Sequence, residues 1–478
     1  MRIEPLPTDA RQTDPAKLSP ARRGRVLLPS AGERVLLLTS GLGYGHVRAA
    51  QAIEAALLQR SLDVRSLDLW SLMHPGAASI VHQTYLRLVQ EYPELYERIY
   101  QLDERTWRQI LESESGPPPD VLEVLELISQ IANATVAGGG GGMQYATDRL
   151  LLSLLCNSLP FDGSSLGGTG VRARLAIMKW SWLRLRKRLE SIVTDQAPDL
   201  IISTQMIPAA MICALKRRGR INVPVVGVLT DYGLHDFWRQ RGIDCYCVAH
   251  SSLAGTDRSD SVRSVPTGVP LMPAFAHPMT QAEAKRQLGL DPERAHVLIL
   301  GGGLGLSVDA IAENLLSRPG NWSLIVMPGK NADARQSLSR MSKDRQRTSV
   351  SAHERVHVFE WTERMDVFIR ASDVVVGKPG GVSVAEVLAC GRPLLATRSL
   401  GGQEGFNVRF LEQHGVGALV SETELASRIE TMIGSPDELA AIQQRAWSLG
   451  VRDGAARVAE LTLDLLAGRR RVPAREST

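Results

Sequence analysis

Residues 372–386 read Ser372-Asp373-Val374-Val375-Val376-Gly377-Lys378-Pro379-Gly380-Gly381-Val382-Ser383-Val384-Ala385-Glu386. The apolar run predicts a buried strand, the glycine pair a tight turn, and the residues after it the start of a helix. Paired glycines let backbone amides approach an anion, and the dipole of the following helix favours phosphate. We therefore expect the turn 378–381 to hold a diphosphate. Glu386, in the first helical turn, either accepts hydrogen bonds from the two hydroxyls of a ribose or complements the helix dipole.

The same strand–turn–helix unit recurs along the chain and predicts an α/β fold. Short apolar runs occupy 34–40, 199–204, 225–230, 245–249, 296–300, 323–327, 356–359, 374–376 and 393–397. Helical spacing occurs at 46–60, at 208–218 and near 455–466. Strands that alternate with helices indicate a mainly parallel sheet. Because 478 residues exceed what one hydrophobic core usually serves, we predict two Rossmann-like, doubly wound domains that face each other across a cleft.

The domain boundaries follow from proline and glycine content. Four prolines and one glycine at 266–278 are typical of a linker between two folded units. We predict a loose tail at 1–32, a first domain at 33–272, a second at 273–445, and a helix and tail at 446–478. A proline- and glycine-rich insertion at 114–170 interrupts the first domain.

Composition narrows the class of protein. Hydrophobic residues make up 44% and charged residues 22%, as in a soluble globular protein, and a net charge of +4 is too mild to predict a nucleic-acid partner. Five scattered cysteines favour a reducing compartment, which we take to be the cytoplasm. No apolar leader opens the chain and no apolar run reaches about 18 residues, so we expect neither a signal peptide nor a membrane span. Cys245, Cys247 and His250 could suggest zinc, but a structural zinc site needs four ligands and these residues lie in an apolar run, so we expect core cysteines and no metal site.

A polar loop follows the next strand, at the same carboxyl edge of the sheet as the glycine turn. Gln403, Glu404 and Asn407 are suited to binding sugar hydroxyls, although a solvated loop with a helix N-cap at Asn407 gives the same pattern.

The corresponding loop of the first half contains the candidate base. Residues 41–46 read Gly41-Leu42-Gly43-Tyr44-Gly45-His46, which matches neither the dinucleotide fingerprint nor the P-loop. His46, at the start of a helix and facing the cleft, either takes a proton from an attacking hydroxyl or is structural. The sequence has no Asp-x-Asp pair at a strand end, so we expect no divalent cation at the diphosphate.

Taken together, these motifs resemble the diacylglycerol glycosyltransferases of glycosyltransferase family 28, the processive bacterial glucosyltransferases and the monogalactosyldiacylglycerol synthases. The resemblance covers about residues 33–445 apart from the insertion. It rests on Gly45-His46 with Ala49-Ala50 and Ile53, Ser203-Thr204-Gln205, residues 230–238 (Thr-Asp-Tyr-Gly-Leu-His-Asp-Phe-Trp), Gly268-Val269-Pro270, residues 378–386, Gly402-Gln403-Glu404 and Asn407.

The resemblance implies a GT-B fold, a UDP-sugar donor (UDP-glucose or UDP-galactose) in the second half, a lipid acceptor at the first half, and inversion at the anomeric carbon. Carried over by position, the donor residues would be Gly302, Gly303, Gly305, Lys378, Pro379, Gly380, Gly381, Ser383, Glu386, Gln403, Glu404 and Asn407. The acceptor residues would be Tyr44, Tyr232, His235 and Trp238. His46 would be the base or its partner. The plant-type enzymes have an aspartate just before the glycine turn, where this chain has Thr39-Ser40, so Asp231 is a second candidate for the base.

A basic, aromatic segment indicates where the chain meets a membrane. Trp180, Trp182, Leu183 and Leu185 alternate with basic residues at 179, 184 and 186–188. This composition is typical of a helix lying on an anionic bilayer, or else of a solvated helix that packs its tryptophans inward. We expect a peripheral enzyme at the inner face of the cell membrane that moves a hexose to diacylglycerol or a glycosyldiacylglycerol. The alternatives are a polyprenyl-linked or carotenoid acceptor, and a non-catalytic regulator that binds nucleotide sugars.

Overall fold

The computed structural model of the chain describes residues 32–73, 78, 81–83, 85, 169–254, 262–301, 308–317, 320–329, 331, 334–338, 340, 356–397 and 403–470, with the backbone alone at 169–182 and 469–470. The predicted tail before residue 32, nearly all of the predicted insertion, and Gly302, Gly303 and Gly305 lie outside these residues.

The first half builds one parallel sheet. Its strands are β1 (Arg34–Thr39), β2 (Asp63–Asp68), β3 (Leu200–Ser203), β4 (Val225–Val228), β5 (Cys245–Val248) and β6 (Arg263–Pro266), in the order β2-β1-β3-β4-β5-β6. The helices are α1 (Tyr44–Leu58), α2 (Thr169–Gln196) and α3 (Met206–Arg217), with short 3-10 helices at Leu69–Leu72, Asp236–Trp238 and Ser251–Leu253. Strands β1, β3, β4 and β5 are almost wholly buried, because helices cover both faces of the sheet.

The second half repeats this architecture. Its strands are β7 (Ala295–Leu300), β8 (Trp322–Met327), β9 (Val356–Val358), β10 (Val374–Gly377), β11 (Leu394–Ala396) and β12 (Gly417–Leu419), in the order β12-β11-β10-β7-β8-β9 and again all parallel. The helices are α4 (Gln281–Gln287), α5 (Val308–Leu316), α6 (Met365–Ala371), α7 (Gly381–Ala389), α8 (Gln403–Gln413), α9 (Glu422–Gly434) and α10 (Pro436–Leu449), and a 3-10 helix spans Pro273–Ala276. The predicted fold class of two doubly wound α/β sheets is confirmed.

The last helix, α11 (Gly454–Arg470), returns to the first half. Val458, Ala459 and Leu461 are buried in the same cluster as β1 and α1. The chain crosses between the halves near Gly268 and again near Val451, and these two segments are in contact. A Cβ added to Gly268 would lie 2.5 Å from Val451 Cγ1. The C-terminal helix is therefore part of the core of the first half.

In each sheet the strand order reverses next to the first strand, between β1 and β3 and between β7 and β10. Ligands of doubly wound folds bind at such reversal points, outside the carboxyl ends of the strands. The loops after β1, β3 and β10 carry Gly41–His46, Thr204 and Lys378–Gly381, so the fold places the sequence-predicted loops at these positions. Among the described residues, no helix is long and apolar enough to cross a bilayer.

Candidate active site

The glycine turn joins β10 to the N-terminus of α7. Gly380 is the N-cap of α7 and provides no side-chain cap, so the first N–H groups of the helix are not satisfied by its own side chain. Such an end, with its positive dipole, is suited to a diphosphate. Lys378 lies at the start of the turn, and its ammonium is 2.7 Å from the buried carboxylate of Glu404. The turn thus combines backbone donors with one lysine.

Glu386 lies in the second turn of α7 and not in the first, where the sequence pattern placed it, because α7 begins at Gly381. It is partly buried where α7 packs against α1. Burial raises the pKa of the Glu386 carboxyl to about 7, Asp366 adds to the rise, and the guanidinium of Arg48 on α1 opposes it. A carboxyl with this pKa changes charge near neutral pH. Its ability to accept hydrogen bonds from a ribose should therefore depend on pH.

His46, in the first turn of α1, faces the loop after β4. Its backbone carbonyl accepts a hydrogen bond from Thr204 Oγ1 at 3.1 Å, and its ring Nδ1 lies 3.3 Å from Thr230 Oγ1. Thr230 Oγ1 in turn lies 3.5 Å from Asp231 Oδ2. Burial lowers the pKa of His46, and the Asp231 carboxylate opposes this. The imidazole is therefore neutral at pH 7. If Nδ1–H donates to Thr230, then Nε2 is left as a proton acceptor.

The loop before His46 is fixed by a residue that the sequence did not reveal. Asp68, at the end of β2, accepts hydrogen bonds through Oδ1 from the backbone N–H of Gly41 at 3.2 Å and of Trp70 at 3.0 Å. Trp70 Nε1 donates to the buried Ser40 Oγ at 2.7 Å. The only available sequence signal was an aspartate that ends a polar stretch, which is weak. Asp68 and Trp70 hold the glycine loop from the edge of the sheet.

The two halves meet directly at this site. A Cβ added to Gly381 would lie 1.9 Å from the carbonyl oxygen of Thr230. Asn407 is fully buried, and its Oδ1 accepts from the backbone N–H of Tyr232 at 2.8 Å. Its Nδ2 donates to Asp231 Oδ1 and to the Pro379 carbonyl, both at 2.9 Å. The suggestion of a helix N-cap at Asn407 is wrong, because α8 begins at Gln403. Asn407 lies inside this helix and joins the two halves.

One of the four predicted acceptor residues is exposed, and the other three are packed against neighbouring residues. Tyr44 is 41% exposed and meets Trp361 edge-on, with ring centroids 6.4 Å apart. Tyr232 is buried, and its ring centroid lies 4.2 Å from that of Phe410. Trp238 is buried in the core of the first half. His235 caps the 3-10 helix at Asp236–Trp238. Tyr44 is the one most open to a ligand, and the acceptor roles of all four stay predictions.

Comparison with known proteins identifies the class. The sequence model of monogalactosyldiacylglycerol (MGDG) synthase matches residues 171–270, and that of the glycosyltransferase family 28 C-terminal domain matches residues 296–455. These ranges include the loop after β4, the glycine turn and Asn407.

The chain carries a glycosyltransferase family 28 C-terminal domain.

Relatives span most of this chain. A processive diacylglycerol β-glucosyltransferase of Bacillus cytotoxicus is 24% identical over 438 residues, covering 90% of this chain and 93% of the relative. The enzyme of the same name from Bacillus subtilis is 29% identical over 263 residues, covering 53% and 65%. The resemblance to the diacylglycerol glycosyltransferases is thus confirmed.

Solved structures agree on the fold. MurG of Acinetobacter baumannii is 14% identical and superimposes with a TM-score of 0.54 over 90% of this chain and 99% of its own. The glycotransferase of kitacinnamycin is 12% identical, with a TM-score of 0.50 over 92% and 100%. This confirms the expected GT-B fold of the glycosyltransferase.

In this chain, the basic segment near residue 185 lies on α2. Leu185 and Leu189 are buried in the core of the first half, so Leu185 does not face outward as a bilayer-facing residue would. Leu183 is 38% exposed, and the neighbouring Arg184 and Lys187 are exposed as well. The side chains of Trp180 and Trp182 lie outside the described residues. Cys245 and Cys247 are buried in β5, as expected of core cysteines.

Proposed function

We propose that this glycosyltransferase moves a hexose from UDP-glucose or UDP-galactose to diacylglycerol or a glycosyldiacylglycerol, with inversion, at the inner face of the cell membrane. One observation carries the proposal. Thr230 contacts the His46 imidazole through its hydroxyl and the start of α7 through its carbonyl. The candidate base and the candidate diphosphate seat therefore lie on either side of one residue. A direct displacement at the anomeric carbon requires the base and the leaving group to lie close to the same carbon, and the proximity of these two groups supports the proposal.

The reaction is derived from these groups. Nε2 of the neutral His46 accepts the proton of the acceptor hydroxyl as that oxygen attacks the anomeric carbon. The bond to the diphosphate breaks on the opposite side, and UDP leaves with the bonding electrons. The first N–H groups of α7 and the ammonium of Lys378 stabilise the charge that develops on the leaving diphosphate. Asp231, near His46, stabilises the imidazolium that forms.

A donor panel tests the proposal. Purified protein is incubated with diacylglycerol liposomes and UDP-glucose, UDP-galactose or UDP-N-acetylglucosamine, and the lipids are separated and analysed by mass spectrometry. We expect a glycosyldiacylglycerol from one hexose donor, with the anomeric configuration inverted. Parallel liposomes with polyprenyl phosphate or a carotenoid separate the alternative acceptors. UDP-sugar binding without any glycolipid would contradict the proposal and favour a regulator.

Binding of UDP-glucose should depend on the ionisation of Glu386. The ionised carboxylate accepts hydrogen bonds from both ribose hydroxyls, and the pKa of the free carboxyl is about 7. We expect the Kd to be constant above pH 8 and to rise about tenfold per pH unit as the pH falls below 7. Isothermal titration calorimetry from pH 5.5 to 8.5 measures this. UDP-glucose itself does not titrate in this range, so the change would belong to the protein.

The control is Glu386→Gln, which should bind UDP-glucose weakly at every pH.

The raised pKa of Glu386 also makes the stability of the protein depend on pH, with a definite sign. Folding raises the pKa of Glu386 from 4.5 to about 7, so the folded protein favours the protonated carboxyl. The stability that the protonated carboxyl contributes to the fold is lost as the pH rises towards 7. Glu386→Gln should therefore raise the Tm at pH 8 and leave it unchanged at pH 4. A wild-type Kd that is independent of pH would argue against ribose binding by Glu386.

Helix α2 should contribute to membrane binding through its basic face. Reversing the charge of Arg184 and Lys187 to Glu should weaken binding to vesicles of phosphatidylglycerol, since each basic residue near an anionic surface contributes about 1 kcal/mol. Vesicle sedimentation at low and high salt measures this. The matched control is Arg286→Glu with Arg428→Glu, which changes the net charge equally at exposed positions of the second half. Equal losses in both double variants would mean that net charge, and not α2, governs the binding.

A further inference from the structure

We propose that Asn407 is a positioning residue, whose amide fixes the loop after β4 to the glycine turn and thereby holds the Asp231 carboxylate next to His46. The proposal rests on the function proposed above, and it assigns Asn407 a role other than the sugar contact that the sequence pattern suggested.

Asn407 makes three hydrogen bonds, and they join three separate segments. The backbone N–H of Tyr232 donates to its Oδ1, and its Nδ2 donates to Asp231 Oδ1 and to the carbonyl of Pro379. Both hydrogens of Nδ2 are used, and the side chain is 0% exposed. The amide thus has no donor left for a sugar hydroxyl and no open face towards one.

The bond to Asp231 connects Asn407 to the candidate base. Asp231 Oδ1 is held by Asn407 at 2.9 Å, and its Oδ2 lies 3.5 Å from the Thr230 hydroxyl. That hydroxyl lies 3.3 Å from Nδ1 of His46. A carboxylate held by one oxygen presents the other in a fixed direction, here towards the Thr230 hydroxyl that contacts the imidazole.

The electrostatics of His46 agree with this geometry. The Asp231 carboxylate raises the pKa of His46, against the larger lowering by burial. Arg48 on α1 and Glu386 on α7 also carry charge where these helices pack together, and they interact with each other. If Asn407 is lost, Asp231 is free to turn towards water, and its effect on His46 becomes weaker.

The first test separates kcat from KM. We expect Asn407→Ala to lower kcat about 10- to 100-fold and to leave the KM for the UDP-sugar within about threefold, since a misplaced base affects the transition state and not donor binding. Gln413→Ala, which truncates an exposed carboxamide at the end of the same helix, should behave like the wild type. A KM raised more than about tenfold with kcat unchanged would overturn the proposal, because that is the behaviour of a sugar ligand.

The second test does not depend on turnover. The titration of His46 is followed by NMR of 13C-labelled histidine, and the His46 signal is identified by its loss in His46→Gln. We expect Asn407→Ala and Asp231→Asn each to shift the His46 titration to lower pH, and the double variant to shift it no further than Asp231→Asn alone. Additive shifts, or no shift in Asn407→Ala, would overturn the proposal. If no donor supports transfer, the proposed reaction fails, while this titration still decides the role of Asn407.

Loss of a fully buried amide leaves the Tyr232 N–H unsatisfied and can prevent folding. Asn407→Asp preserves the volume and the acceptor for that N–H, but places an oxygen against Asp231 Oδ1. With the near-UV circular dichroism unchanged, it should again lower kcat and leave KM within about threefold. An Asn407→Asp enzyme with the wild-type kcat would overturn the proposal as well.

Discussion

His46→Ala is expected to lower kcat for sugar transfer by about 10²- to 10⁴-fold, the usual contribution of a general base, and to leave the affinity for UDP within about threefold. The imidazole contacts the Thr230 hydroxyl, whereas the candidate diphosphate seat is formed by the N–H groups at the start of α7. Initial rates with diacylglycerol liposomes and calorimetry with UDP measure the two effects separately. Equal losses of turnover and of UDP affinity would contradict this division of roles.

The pH profile gives a second measure of the same group. Burial lowers the pKa of His46 below its usual 6.5, so the neutral, proton-accepting form should persist into mildly acidic solution. The wild-type kcat should therefore fall only as the pH drops through this lowered pKa. His277→Ala, which removes an exposed histidine from the segment between the halves, should change neither kcat nor the profile. If His277→Ala reproduced the loss seen in His46→Ala, the effect would not belong to the site.

The interior of both sheets was predictable from the sequence because buried parallel strands are continuous apolar runs. Strands β2, β6 and β12 were not predicted from apolar runs, and each of them lies at the edge of its sheet. β2 contains Arg65 and Ser66 and is largely exposed, so it has no apolar run. The edge strand β9 was predicted, since Val356, Val358 and Phe359 still form one.

The sequence predicted the loops of the candidate site, but it did not predict the hydrogen bonds between residues that are far apart in the chain. The positions of the glycine turn and of His46 at the edges of their sheets were predictable because parallel strands bring their carboxyl ends to one edge. The bond between Asn407 and Asp231 joins residues 176 positions apart, and the bond from Gly41 to Asp68 joins the loop after β1 to the end of β2. Local patterns do not specify such pairs. The return of α11 to the first half was missed for the same reason.

Gly381→Ala is expected to lower kcat/KM by about 100-fold or more, since a displacement of about 1 Å at an active site has that cost. An added Cβ would lie 1.9 Å from the Thr230 carbonyl oxygen and 2.7 Å from Asp231 Oδ1, closer than the 3.0 Å below which neighbouring atoms must shift. The oxygen of Thr230 belongs to the backbone, so no side-chain rotation relieves the contact. The halves must therefore separate at this point, and His46 must move away from the diphosphate seat.

Gly380→Ala is the matched control, because a Cβ at the preceding residue would meet nothing nearer than Ser383 Oγ at 4.0 Å. The backbone N–H of Tyr232 reports the separation directly, since it donates across the halves to Asn407. Its hydrogen exchange should accelerate in Gly381→Ala and stay at the wild-type rate in Gly380→Ala. Lost activity with slow exchange at Tyr232 would place the damage in donor binding alone. Faster exchange with full activity would mean that this contact between the halves is not needed for sugar transfer.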